Sequence, residues 1–149
     1  MRTSLLVVAA LIAPLACNGD GSDGPARSVG GSYALARVFD VPMPATVKDP
    51  ATQYRLLFRS GVLSLRPDST FDLTFDAVFV DYPNIVINGH HFGPYHWTAA
   101  TSTLVLDAQS TGFHFEGTAG GDSVGLNLDM GYVREPPPVY DFVFVRSTR

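Results

Sequence analysis

The chain has 149 residues, a single cysteine and a formal net charge of −4, with 10 Lys and Arg against 14 Asp and Glu. That length suits one domain behind a leader, and one cysteine excludes an internal disulfide. Arginines are scattered and Lys48 is the only lysine, so the basic cluster expected of a nucleic-acid binder is absent.

Residues 1–16, MRTSLLVVAALIAPLA, carry the parts of an export signal. Arg2 supplies a positive start, and residues 5–13 form an apolar run too short to cross a bilayer as a helix. Cys17 follows small Ala16 and precedes a polar stretch. A thiol placed there has neither a core to enter nor a base beside it, which suits attachment better than nucleophilic chemistry. The segment resembles the lipobox of bacterial lipoproteins, with Pro14 and Leu15 where that family has Leu and a small residue. The resemblance implies cleavage before Cys17, lipidation of its thiol and a partner in the membrane. Asn18 in place of a retaining aspartate implies the outer membrane of a bacterial cell envelope. An ordinary signal peptide with a stray cysteine and an uncleaved anchor are the alternatives.

With lipidated Cys17 at their head, residues 17–30 read as a linker. The stretch NGDGSDGPARSVG cannot bury enough surface to offset its ordering entropy, and as a coil it spans roughly 20 Å on average.

From residue 31 onward the pattern is alternation with period two. Tyr33 and Leu35 alternate with Ala34 and Ala36. Tyr54, Leu56 and Phe58 share one face of TQYRLLFRS, and Leu63 and Leu65 share one in GVLSLRPD. After the Pro67-Asp68 turn, Phe71, Leu73, Phe75, Ala77 and Phe79 alternate with Asp72, Thr74 and Asp76. Ile85 and Ile87 lead to Asn88-Gly89, a pair suited to a tight hairpin turn. Tyr95 and Trp97, Leu104 and Leu106, and Phe113 and Phe115 continue the series. A turn at Gly120-Gly121-Asp122 precedes Val124, Leu126, Leu128 and Met130, and Tyr140, Phe142 and Phe144 close it. This spacing predicts an all-β domain over residues 31–149. An antiparallel up-and-down barrel of about eight strands is preferred because closure removes unpaired edges; a β-sandwich is the alternative.

The stretches GSYAL at 31–35, VPMPATV at 41–47, GVLSLRPDSTFDL at 61–73 and YDFVFVR at 140–146 resemble a lipocalin-like (calycin-like) bacterial lipoprotein domain. In that family a Gly-x-Trp motif on the first strand packs beneath a late arginine. Gly31, Tyr33 and Arg146 hold those places here, with tyrosine for tryptophan, which implies that Tyr33 and Arg146 close the barrel.

Chemistry-bearing motifs are few. GDSVG at 121–125 matches the G-x-S-x-G elbow, but a β-patterned segment follows where the elbow requires a helix, and all four histidines precede Ser123. His90, His91 and His96 would make a zinc cluster only if the first two sat in a loop, because neighbours on a strand point to opposite faces. His114 is expected on an outer face. Asp72 and Asp76 lie roughly 13 Å apart along one strand, too far to share a metal. Pro136-Pro137-Pro138 reads as a stiff loop. No catalytic residue, metal or cofactor is expected.

Two functions fit. In the first, the inward aromatics Tyr54, Phe58, Phe75, Trp97, Phe113 and Phe142 line a pocket for a small apolar or lipid-like ligand. In the second, those rings fill the barrel, and a non-catalytic lipoprotein presents its surface or loops to a partner. Residues 82–92, YPNIVINGHHF, are the expected loop patch.

Overall fold

The computed structural model describes residues 28–49, 52–129 and 139–148. Cys17, Met130 and Pro136-Pro137-Pro138 lie outside them, as do the leader and most of the linker.

Ten strands follow one another without a helix among the described residues. They are β1 (Gly31–Val38), β2 (Val41–Pro42), β3 (Ala45–Lys48), β4 (Arg55–Leu65), β5 (Thr70–Phe79), β6 (Val86–Thr98), β7 (Thr103–Ala108), β8 (Phe113–Gly120), β9 (Ser123–Asp129) and β10 (Val139–Arg146). Each strand from β4 to β10 pairs antiparallel with the next; β10 pairs with β1, and β1 pairs with β4. The result is a closed up-and-down barrel of eight strands, β1 and β4 to β10. The β-sandwich alternative is set aside.

The two short strands explain how VPMPATV is used. At the end where residues 28–30 arrive, here the entry end, β1 and β4 pair directly from Gly31↔Leu65 to Ala34↔Val62. Toward the far end they separate. There β2 pairs with the last residues of β1 and β3 with the first residues of β4. The pattern of alternation alone does not announce such short inserts.

Two further departures from the sequence reading have physical causes. TQYRLLFRS and GVLSLRPD are one eleven-residue strand, broken in phase by a bulge between Phe58 and Ser60. Leu56 and Phe58 point inward before it, Leu63 and Leu65 after it. A bulge inserts one residue and so flips the face. Second, Asn88-Gly89 is not a turn. β6 runs straight through it, with Asn88 opposite Asp76 and Gly89 opposite Phe75. The glycine is there for space: a Cβ on Gly89 would overlap the Phe75 ring. The real turn comes earlier, over residues 80–85, where the amides of Tyr82 and Ile85 donate to the carbonyls of Phe79 and Tyr82. The expected loop patch at 82–92 is therefore a turn up to Ile85 and a strand beyond it.

Candidate functional site

The barrel interior is built from alternate residues of all eight strands, and most of its largest side chains have no exposed surface. Phe58, Phe71, Phe142, Phe144 and Tyr140 are each at 0% exposure. The rings meet one another across the middle of the barrel. Phe58 and Phe142 lie 5.2 Å apart at 79°, Phe75 and Phe142 5.8 Å apart at 77°, and Phe58 and Tyr140 5.8 Å apart at 63°. These are the edge-to-face arrangements that aromatic quadrupoles favour. Side chains from non-neighbouring strands such as β5 and β10 thus meet inside the barrel, where an eight-stranded barrel can hold either side chains or one small ligand.

Of the six residues expected to line the interior, Phe58, Phe75 and Phe142 belong to this stack. Trp97 and Phe113 are partly buried and pack against the hydrophobic core. Tyr54 is not inside at all. It is 44% exposed, lies just before β4, which begins at Arg55, and follows Gln53 at a positive φ of 66°.

His91 is an interior residue that sequence reasoning missed. β6 places His90 outside and His91 inside, 8% exposed. Its ring stacks on Phe75 at 6.1 Å and meets the Phe115 edge at 5.2 Å. Its Nδ1 lies 3.2 Å from Thr111 Oγ1. Burial, followed by the charge of His90, holds its pKa below the ordinary value. The signal was present: odd positions 87, 91, 95 and 97 are apolar or aromatic, with glycines at 89 and 93. Among the described residues no group of three His, Cys, Asp or Glu side chains is placed to hold a metal ion.

At the entry end Arg146 and Tyr33 form a clamp. The Tyr33 hydroxyl donates to the Val29 carbonyl at 2.6 Å and accepts from Arg146 Nη2 at 2.7 Å. Arg146 Nη1 donates to the Gly30 carbonyl at 2.9 Å, and its guanidinium lies 4.9 Å from the Tyr33 ring centroid, within cation–π range. Gly31, at φ 153°, lets the chain pass beneath the arginine. Burial raises the Tyr33 pKa against the opposing pull of Arg146. The clamp fixes where residues 28–30 join the barrel. Beside it, Val29, Trp97, Ala99 and Ala119 line a recess of about 210 Å³. The Trp97 Nε1 is buried without a hydrogen-bond partner among the described residues.

The outer surface carries ordinary ion pairs. Asp72 lies 3.6 Å from Arg66 and 3.3 Å from His90, and Asp76 lies 3.7 Å from Arg59. His114 faces out, held at 2.6 Å by Asp107, which raises its pKa. Ser123 of GDSVG opens β9, not a helix, and its hydroxyl donates to the Gly120 carbonyl at 3.4 Å.

The far end holds a different aromatic group. Tyr54, Phe79, Tyr82 and Ile85 line a surface recess of about 240 Å³. Tyr54 meets Phe79 at 5.9 Å and 89°, and Tyr82 at 5.6 Å and 85°, so the rings form a corner. Tyr82 and Ile85 are each 50% exposed. The pair Arg55–Asp81, 2.7 Å apart, joins the residues that follow Tyr54 and precede Tyr82 in the chain. The Arg55 hydrogen bond lowers the Asp81 pKa.

No family model matches the chain, and neither a curated protein nor a solved structure matches it.

Proposed function

We propose that this chain is a lipoprotein of the bacterial cell envelope whose filled, lipocalin-like barrel is a non-catalytic module acting through its outer surface. The observation that carries this reading is the contact of Phe58, Phe75 and Phe142 with one another inside the barrel. A carrier of apolar ligands keeps that space open. The exposed aromatic corner at the far end gives such a module something to present.

The remaining parts are assigned by resemblance. Cys17 is the lipidation site, the membrane is its partner, and residues 18–30 are the tether. Asn18 favours the outer membrane. More than one acyl chain on the cysteine gives the durable anchoring that a single chain does not. The Tyr33–Arg146 clamp supports the lipocalin likeness, since it joins the two positions that the family pattern pairs. It also fixes the point of attachment. The tether meets the barrel at the entry end, and the aromatic corner lies at the far end, roughly 25 Å away along eight residues of β1. The tether therefore attaches at the end opposite that corner and leaves the corner clear of the attachment point.

Labelling of growing cells with radioactive palmitate tests the anchor. The wild-type chain takes up label and fractionates with membranes, whereas Cys17→Ser takes up none and is released. Label retained by Cys17→Ser would remove the anchor from the reading.

A further inference from the structure

We infer that the free edge of β6 over residues 86–90 is a docking site for an extended strand of a partner protein, added antiparallel to β6 in the line that β7 leaves vacant. This rests on the reading that the barrel acts through its outer surface, and it names the kind of partner that surface takes.

Neighbouring strands of the wall differ in length. β6 has 13 residues and β7 has 6, and the two pair only from Tyr95 to Thr98. The turn after β7 then takes the groups of one more residue. The Phe92 carbonyl accepts from the Gln109 amide at 3.0 Å, and the Phe92 amide donates to Ser110 Oγ at 3.4 Å. Alternate residues of a strand turn their N–H and C=O to the same side, and the register with β5 is unbroken from Pro94 to Val86. His90, Asn88 and Val86 therefore turn the same way as Phe92, away from β5. Their amides and carbonyls have no partner on that side among the described residues, and all three residues are exposed.

A row of unpaired donors and acceptors, roughly 17 Å long at the rise of a strand, is complementary to one kind of occupant, an extended backbone. The two ends of the sheet order are blunted against such pairing. β2 has 2 residues and contains Pro42, and β3 has 4 and ends in Lys48; short strands, proline and lysine all discourage a new neighbour. Residues 86–90, VINGH, hold neither proline nor lysine. The pleat then sets the pattern of the occupant. Its residues opposite Ile87 and Gly89 point to the side on which Ile87 and Phe113 pack against the core, so they are apolar. Those opposite Val86, Asn88 and His90 point to solvent. A second copy of the chain can match the hydrogen bonds, because the stretch is symmetric about Asn88. Antiparallel pairing of two β6 edges, however, sends the two entry ends and their tethers in opposite directions, which works against two chains anchored in one membrane.

The test uses the full chain in detergent micelles, with amide hydrogen exchange read by NMR. In the chain alone the Asn88 and His90 amides should exchange faster than those of Gly89 and His91, which turn toward β5, by at least about tenfold. The probe is then the peptide KTVTVTK, whose three threonines fall opposite Val86, Asn88 and His90 and whose two valines point inward. It should slow exchange at Asn88 and His90 saturably, with Kd on the order of millimolar. The same peptide N-methylated on its threonines should not, because the bonds it makes are backbone bonds. Asn88→Pro should abolish the slowing at His90 with the barrel's circular dichroism unchanged, and Tyr82→Ala should leave it intact. In the host, a photo-crosslinker at position 86 should attach to one extended segment of another envelope protein. Equal protection of all four amides in the chain alone, no slowing by the peptide, equal slowing by its N-methylated form, or attachment of the crosslinker to a second copy would each overturn the inference. A ligand found inside the barrel while the edge still takes the peptide would remove the functional reading and leave this one standing.

Discussion

Two groups of aromatic rings in the molecule differ in what surrounds them. Phe58, Phe75 and Phe142 in the barrel touch one another and other core side chains, with exposures of 6% or less. At the far end Tyr54 meets Tyr82 and Phe79; Phe79 is half-buried against the core, whereas the two tyrosines are exposed, and the residues next to them in the chain, Arg55 and Asp81, form an ion pair. The first group stabilises the barrel. The second is held in place by a turn at little benefit to stability. The same residue type thus marks structure in one place and a candidate site in the other, and only position separates them.

The comparison can be broken by truncation. Phe142→Ala should lower the unfolding free energy by about 3–5 kcal/mol, as for other buried rings. Tyr82→Ala should change it by no more than about 0.5 kcal/mol, as for exposed positions. Urea titration of both variants decides the matter, and equal losses would erase the distinction. A smaller effect sharpens the interior side. Gly89→Ala places a methyl against Phe75 and should cost about 1–3 kcal/mol through overpacking. Combining it with Phe75→Leu should recover part of that loss, a coupling that a double-mutant cycle measures. Smaller again, Tyr33→Phe removes the hydroxyl shared by Val29 and Arg146 and should cost about 1 kcal/mol.

The weakest effect contrasts an interior histidine with a surface one. His91 has its pKa lowered by burial, so the native state favours the neutral ring. The stability it contributes is complete above the ordinary value of 6.5 and is lost as pH falls through the lowered folded value. His114 has its pKa raised by Asp107. Its small contribution is complete below 6.5 and fades as pH rises through the raised value. Thermal melts between pH 5 and pH 8 (the range in which histidine titrates) should show the acid-side loss in the wild type and a flatter profile in His91→Gln. An unchanged profile would mean that His91 is not buried neutral.

Much of this was legible in the chain. Phe71 to Ala77 alternate so cleanly that their strand and its inner face follow from the sequence, and the short links make a meander the simplest topology. Tyr33 and Arg146 could be paired because a family pattern pairs them. Other features were hidden for physical reasons. Asn88-Gly89 carries the commonest hairpin signal, but Gly89 serves to admit the Phe75 ring, a need set by a different strand. Pro83-Asn84 held the real turn. The bulge at Phe58–Ser60 reverses the face within a strand, which periodicity reports as two strands. Tyr54 was read as inward because it continues the phase of Leu56 and Phe58. It lies before the first strand residue, Arg55, at the barrel's far end, where it meets Phe79 and Tyr82.

Native mass spectrometry of the full chain, taken from the envelope of its own host in a mild detergent, tests the filled barrel most directly. The account predicts the mass of the lipidated chain, with any further small-molecule mass lost in Tyr82→Ala. A reproducible extra mass of small-molecule size that survives Tyr82→Ala and leaves only when the barrel unfolds would contradict it, because the account places no small ligand away from the far-end corner.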